Sequence, residues 1–149
     1  MTDIRFYHLT TQTIDQALPA ILAKALSVGH RVLVKLADAA QVDQMNDVLW
    51  TYRADSFLPH GTAKEGRGDQ QPIWITAGDD HPNQANVLVM GARVFEENVS
   101  AFDMVCAFLP GHDTENIQQA RQRWKDYTAS GHQVTYWQQT DTGGWQKKS

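Results

Sequence analysis

The chain has one cysteine among its 149 residues, Cys106, which excludes an internal disulfide and a thiolate metal cluster. Cys106 lies in the apolar run Met104-Val105-Cys106-Ala107-Phe108-Leu109, the setting of a buried, inert thiol. No apolar run reaches about 18 residues, so no membrane span is expected. The opening MTDIRFYHLT lacks the basic-then-apolar order of a secretory leader, and a cytoplasmic location is expected. A surplus of positive charge is missing too: 13 Lys plus Arg stand against 17 Asp plus Glu, a net charge of −4. Such a balance gives no general pull toward phosphate backbones, so DNA is expected to be met only indirectly. There is no internal repeat, low-complexity tract or linker, and residues 1–149 read as a single domain. A domain of this length buries roughly 70% of its unfolded surface, enough to fold without a metal or disulfide staple. With 42% hydrophobic and 20% charged residues, the composition is that of an ordinary globular chain.

What is present is an alternation of strand-sized apolar runs and helical stretches. Residues 4–9 read as a strand. Ile14, Leu18, Ile21, Leu22, Ala25 and Leu26 then follow helical spacing up to Gly29. Residues 31–36 are rich in β-branched side chains, and Asp38 is placed to cap a helix carrying Val42, Met45 and Leu49 on one face. After Trp50 the chain turns irregular as far as Gly68. Residues 73–76, 86–90 and 105–109 read as strands, the last stopped by Pro110-Gly111. The clearest helix covers residues 113–130, with Asp113 or Thr114 as cap and Gly131 just past its end. Residues 133–137 make a last strand. The pattern predicts an α/β domain with a mainly parallel sheet flanked by helices.

Catalytic motifs are absent. No G-x-G-x-x-G follows the first strand, and no G-x-x-x-x-G-K-[ST] occurs. The nearest approach, Gly61-Thr62-Ala63-Lys64-Glu65-Gly66-Arg67-Gly68, lacks the Gly-Lys-Ser/Thr ending and precedes no evident helix. A small nucleotide-dependent enzyme with a divergent phosphate loop from Gly61 to Gly68 is the alternative it leaves open. The six histidines, at 8, 30, 60, 81, 112 and 132, include no H-E-x-x-H pair, and no G-x-S-x-G elbow exposes a serine. Asp79-Asp80-His81 reads more readily as a solvated turn than as a cation site. No catalytic residue, metal ligand or cofactor is assigned.

Two places combine aromatic and polar residues. In the last helix Ile117, Arg121, Trp124 and Thr128 form one stripe, with Lys125 beside it. The stripe is either core with solvated flanks, or an arginine next to an aromatic wall that suits a carboxylate with an apolar neighbour. In Leu49-Trp50-Thr51-Tyr52-Arg53-Ala54-Asp55-Ser56-Phe57-Leu58-Pro59-His60, the large aromatics either plug the end of a core or anchor a partner. Stacking of single-stranded DNA on Trp74, Trp137 and Trp145 is a further possibility, against which the acidic balance weighs.

Several of these segments occur together, and in this order, in one family. They are Phe6-Tyr7-His8-Leu9, Gly29-His30-Arg31-Val32-Leu33-Val34, Leu49-Trp50, and Ser56-Phe57-Leu58-Pro59-His60. Ile73–Ile75, Asn86-Val87-Leu88 and Ala120-Arg121-x-x-Trp124-Lys125-x-Tyr127 follow. With them the chain resembles, from end to end, the chi subunit of bacterial DNA polymerase III, an accessory subunit of the clamp-loader assembly. The resemblance implies a Rossmann-like fold without a phosphate-binding loop, no catalysis and no cofactor. It also implies a link from the clamp loader, through the psi subunit or an equivalent, to the acidic, Phe-terminated tail of single-stranded DNA-binding protein. By position, Arg121 would take the tail's carboxylate and Trp124 would form the aromatic wall. Val134 and Tyr136 would complete that pocket, with Lys125 adding field. Trp50, Phe57, Pro59 and His60 would face psi, another clamp-loader subunit or a helicase-like repair protein. Ile117 stands at a position that is basic in the family, leaving Arg123 or Lys125 to supply charge.

Overall fold

The computed structural model describes residues 2–52, 58–64 and 66–148. In chain order the elements are β1 (Asp3–Leu9), α1 (Ile14–Ser27), β2 (Val32–Lys35), α2 (Ala39–Thr51) and β3 (His60–Gly61). After a 3-10 turn at Gly68–Gln70 come β4 (Ile73–Thr76), β5 (Val87–Met90), β6 (Met104–Pro110), α3 (Thr114–Ala129), β7 (Gln133–Gln139) and β8 (Trp145–Lys147). The eight strands form one sheet in the order β3-β4-β2-β5-β6-β1-β7-β8. Every described pairing is parallel except that of β7 with β8.

The apolar strands are explained by burial on both faces of a parallel sheet. All four residues of β4 and all four of β5 are buried. Alternation along β1 then divides the core in two. Tyr7 and Leu9 point to the face covered by α1 and α2, among Leu18, Leu22, Met45 and Leu49. Ile4 and Phe6 point to the other face, where α3 supplies Ala120 and Tyr127. Cys106 is buried on the first face, and that burial pushes its thiol up to about 12.

The helix ends follow the capping chemistry of the sequence. Thr13 and Gln16 close a capping box on α1, Gln16 N–H donating to Thr13 Oγ1 at 3.3 Å and Thr13 N–H to Gln16 Oε1 at 3.0 Å. Asp38 and Asp113 cap α2 and α3. At the end of α3 the chain enters the left-handed region at Gly131, φ 89°, which suits glycine. There Gly131 N–H bonds Thr128 O at 3.1 Å and His132 N–H bonds Tyr127 O at 3.2 Å, the Schellman closure that turns the chain into β7.

Two elements depart from the sequence reading. The irregular stretch after Trp50 contains the two-residue edge strand β3, and the Gly-Gly-Trp tail contains β8, which pairs Trp145 with Gln139. Both are too short to show a period. Among the described residues no helix is long and apolar enough to cross a membrane.

Candidate functional site

The stripe on α3 lies one position away from the helix's buried line. Asn116, Ala120 and Tyr127 are buried, while Ile117 and Trp124 are half-buried and Arg121, Lys125 and Thr128 are exposed. The stripe is therefore neither core nor plain solvated surface: it follows the seam where α3 leans over β7. Trp124 packs on Phe6, with ring centroids 5.9 Å apart, and joins the same apolar cluster as Val134 and Tyr136. Val134 and Tyr136 are two apart on β7 and share the face under α3, as strand alternation requires. Burial pushes the Tyr136 phenol up from its ordinary pKa, and the positive charge of Arg121 opposes that rise, so the guanidinium lies within electrostatic reach of β7.

The seam thus brings together Arg121, Trp124, Val134 and Tyr136, with Lys125 at its rim. Arg121 and Lys125 have no ion-pair partner among the described residues. Arg123 leans the other way, 4.0 Å from Glu97, 3.8 Å from Asp126 and 6.0 Å from the Phe95 ring centroid. Arg123 is thus engaged on that side of the helix, while Lys125 stands exposed at the rim of the seam. Tyr127 on that far side donates to Glu96 O, and its burial pushes the phenol up to about 12.

One residue of the seam was missed at the level of sequence. His8 shares a strand face with Ile4 and Phe6, and its Nδ1 lies 2.5 Å from Tyr136 Oη, fixing the phenol's direction. Period-two counting along β1 puts His8 on that face, but only the β1–β7 pairing, with Phe6 opposite Tyr136, shows what it meets.

The second set lies at the opposite edge of the sheet, next to β3. Trp50, in the last turn of α2, is 54% exposed. His60 is buried beneath it, the two rings meeting edge-on at 5.0 Å, and His60 Nδ1 is 2.5 Å from Leu58 O. Pro59 is half-buried, and Phe57 lies outside the described residues. Here an outward indole stands on a buried imidazole; His60 props the surface rather than facing solvent.

The remaining candidates have other settings among the described residues. The segment from Gly61 to Gly68 starts at the edge strand β3, with Gly61 and Thr62 buried. It runs into a three-residue 3-10 turn, so its described part offers no α-helix N-terminus to a phosphate. Asp80 accepts from Trp74 Nε1 at 2.7 Å and from Thr76 Oγ1, while Asp79 lies 3.3 Å from Lys35 Nζ. Trp74 is 4% exposed, and Trp137 and Trp145 both pack on Tyr7, so these three indoles form no stacking platform. No group of metal-holding side chains occurs among the described residues.

An open, mostly parallel α/β sheet with a cationic-aromatic seam at one edge and an aromatic ledge at the other is the class of molecule defined here. Comparison with known proteins supplies the family. Residues 1–135 match the family described as DNA polymerase III chi subunit, HolC, and the chain belongs to it. It is 30% identical over 139 residues to DNA polymerase III subunit chi of Escherichia coli K12, covering 88% of this chain and 94% of that protein. It is 26% identical over 135 residues to the subunit of the same name from Pseudomonas aeruginosa PAO1, covering 89% and 93%. A probable chi subunit of Rickettsia prowazekii Madrid E is 23% identical over 161 residues, covering 99% and 92%. The chain accordingly has an accessory role in DNA replication, with protein partners in the DNA polymerase III complex.

Proposed function

We propose that the chain is a non-catalytic adaptor in the cytoplasm, a Rossmann-like domain put to docking use. It links the clamp loader, through psi or an equivalent subunit, to the acidic, Phe-terminated tail of single-stranded DNA-binding protein. The observation that carries this reading is the exposed Arg121, without an ion-pair partner among the described residues, beside the half-buried Trp124 and the β7 pair Val134 and Tyr136. A guanidinium next to an apolar wall suits a terminal carboxylate whose own side chain is an aromatic ring. The charge-assisted contact contributes about 1.5–3 kcal/mol and burial of the tail's Phe about 1.5–3 kcal/mol more. Even before the costs of association these two contacts support no more than a contact of tens of micromolar, one that is readily made and released. The ledge, whose described part presents the exposed Trp50 indole over His60, suits a lasting partner in the clamp loader.

The experiment is a titration of a fluorescent peptide ending in the acidic Pro-Phe tail, against wild type and Arg121→Ala at low and moderate salt. Saturable binding that Arg121→Ala removes and salt weakens is the expected result. Absence of binding even at low salt would overturn the tail reading and leave the ledge as the surface to pursue.

A further inference from the structure

At the carboxyl ends of the strands, β1 runs into α1 on one face of the sheet while its neighbour β6 runs into α3 on the other. Open α/β sheets seat ligands in the crevice that such a divergence creates. Here the crevice is a cavity of about 740 Å³ bordered by Leu9, Thr13, Leu36, Gln44 and Gly111, with no lysine or arginine among its described lining. The β1–α1 turn forms one wall of it, residues 10–13 all lining the cavity.

In that turn the backbone N–H groups of Thr10, Thr11 and Gln12 all donate to one atom, Gln139 Oε1, at 3.3, 3.1 and 3.1 Å. Successive amides converging on one oxygen make the concave donor set that phosphate loops present to an anion. The acceptor comes from β7, more than 120 residues further along the chain, and is 3% exposed. It is held in place as well as bound: Thr10 Oγ1 donates to Gln139 O at 2.8 Å, and Gln139 Nε2 donates to Gln12 Oε1 at 2.7 Å.

We propose that the β1–α1 turn is a preformed oxyanion site whose resident ligand is the chain's own Gln139 oxygen. A carboxylate, phosphate or sulfate oxygen is the class of ligand it fits, and the internal amide excludes all of them. The same contact ties the end of β7 to the turn, three residues beyond Tyr136. An amide oxygen carries only partial negative charge, so it satisfies the three donors less fully than an anion would. This inference does not depend on the docking reading of α3 and β7.

Gln139→Ala empties the acceptor position. In the variant, low-millimolar formate or sulfate should move the amide resonances of Thr10, Thr11 and Gln12 and raise the melting temperature saturably. The affinity should exceed that of wild type at least tenfold, with chloride at matched ionic strength as the control. A folded Gln139→Ala whose three amides ignore formate and sulfate would overturn the proposal. Gln139→Glu decides the matter if the alanine variant does not fold. A carboxylate accepting from three amides is held below its usual range, so its stability relative to wild type should be full at neutral pH and lost on acidification. Stability that instead improves on acidification would mark a buried, unwelcome charge and would contradict the site.

Discussion

The seam beside α3 and the ledge at the end of α2 use the same kind of residue, a tryptophan on a helix, in opposite ways. Trp124 is half sunk between Phe6 and the β7 side chains, with exposed cations standing around it. Trp50 is 54% exposed and rests on a buried histidine. The difference lies in what is beneath each helix. Under α3 the sheet continues to β7 and β8, so the indole has a floor to sink into. Under the end of α2 the sheet ends at the two-residue strand β3, whose His60 meets the indole edge-on while more than half of Trp50 stays exposed. With six strand spacings between β3 and β7, the two surfaces lie roughly 30 Å apart across the sheet. Their helices also cover opposite faces. On the adaptor reading, this separation lets two partners be held at once without touching.

Substitutions can break that contrast. The largest effect is expected from Arg121→Ala. It should weaken tail-peptide binding tenfold or more by fluorescence titration, with a stability change within about 0.5 kcal/mol because the side chain is exposed. Trp50→Ala should weaken clamp-loader binding about tenfold in a pull-down or calorimetric titration, leaving tail affinity unchanged. If it unfolds the protein instead, the ledge is core and the partner surface lies elsewhere. Trp124→Ala should lower both tail affinity and stability, the latter by about 2 kcal/mol in denaturant melts, about half the cost of a fully buried aromatic. Raising salt from low to physiological should weaken the tail contact several-fold and leave the ledge contact nearly unmoved, since the seam relies on exposed Arg121 and Lys125 and the ledge is anchored on an indole. The smallest expected effect is none: alkylation of Cys106 near pH 8 should be equally slow in wild type, Arg121→Ala and Trp50→Ala. Its thiol, pushed up to about 12 by burial, reacts only when the core opens.

The sequence made the longer elements legible and the short ones illegible, for a physical reason. The spacing of Leu18 and Leu22, the caps at Asp38 and Asp113 and the all-apolar β5 are local signals, and each appears where it was expected. β3 and β8, at two and three residues, carry no period and exist only because a neighbouring strand pairs with them. The stripe on α3 was visible, but its position was not. Which of two adjacent helix faces meets the sheet depends on Asn116 and Tyr127 finding partners at Arg93 N–H and Glu96 O. His8 and Gln139 were beyond local reading altogether. Their partners are more than 120 residues away in sequence, and only the pairing of β1 with β7 brings them together.

The central claim is that two separate surfaces hold two partners. Its most direct test is a crossed binding measurement, in which tail peptide and clamp-loader complex are each titrated against Arg121→Ala and Trp50→Ala. The account predicts that Arg121→Ala loses the peptide and keeps the clamp loader, while Trp50→Ala does the reverse. If either single substitution abolishes both interactions in a folded protein, the two surfaces are not independent and the account is wrong.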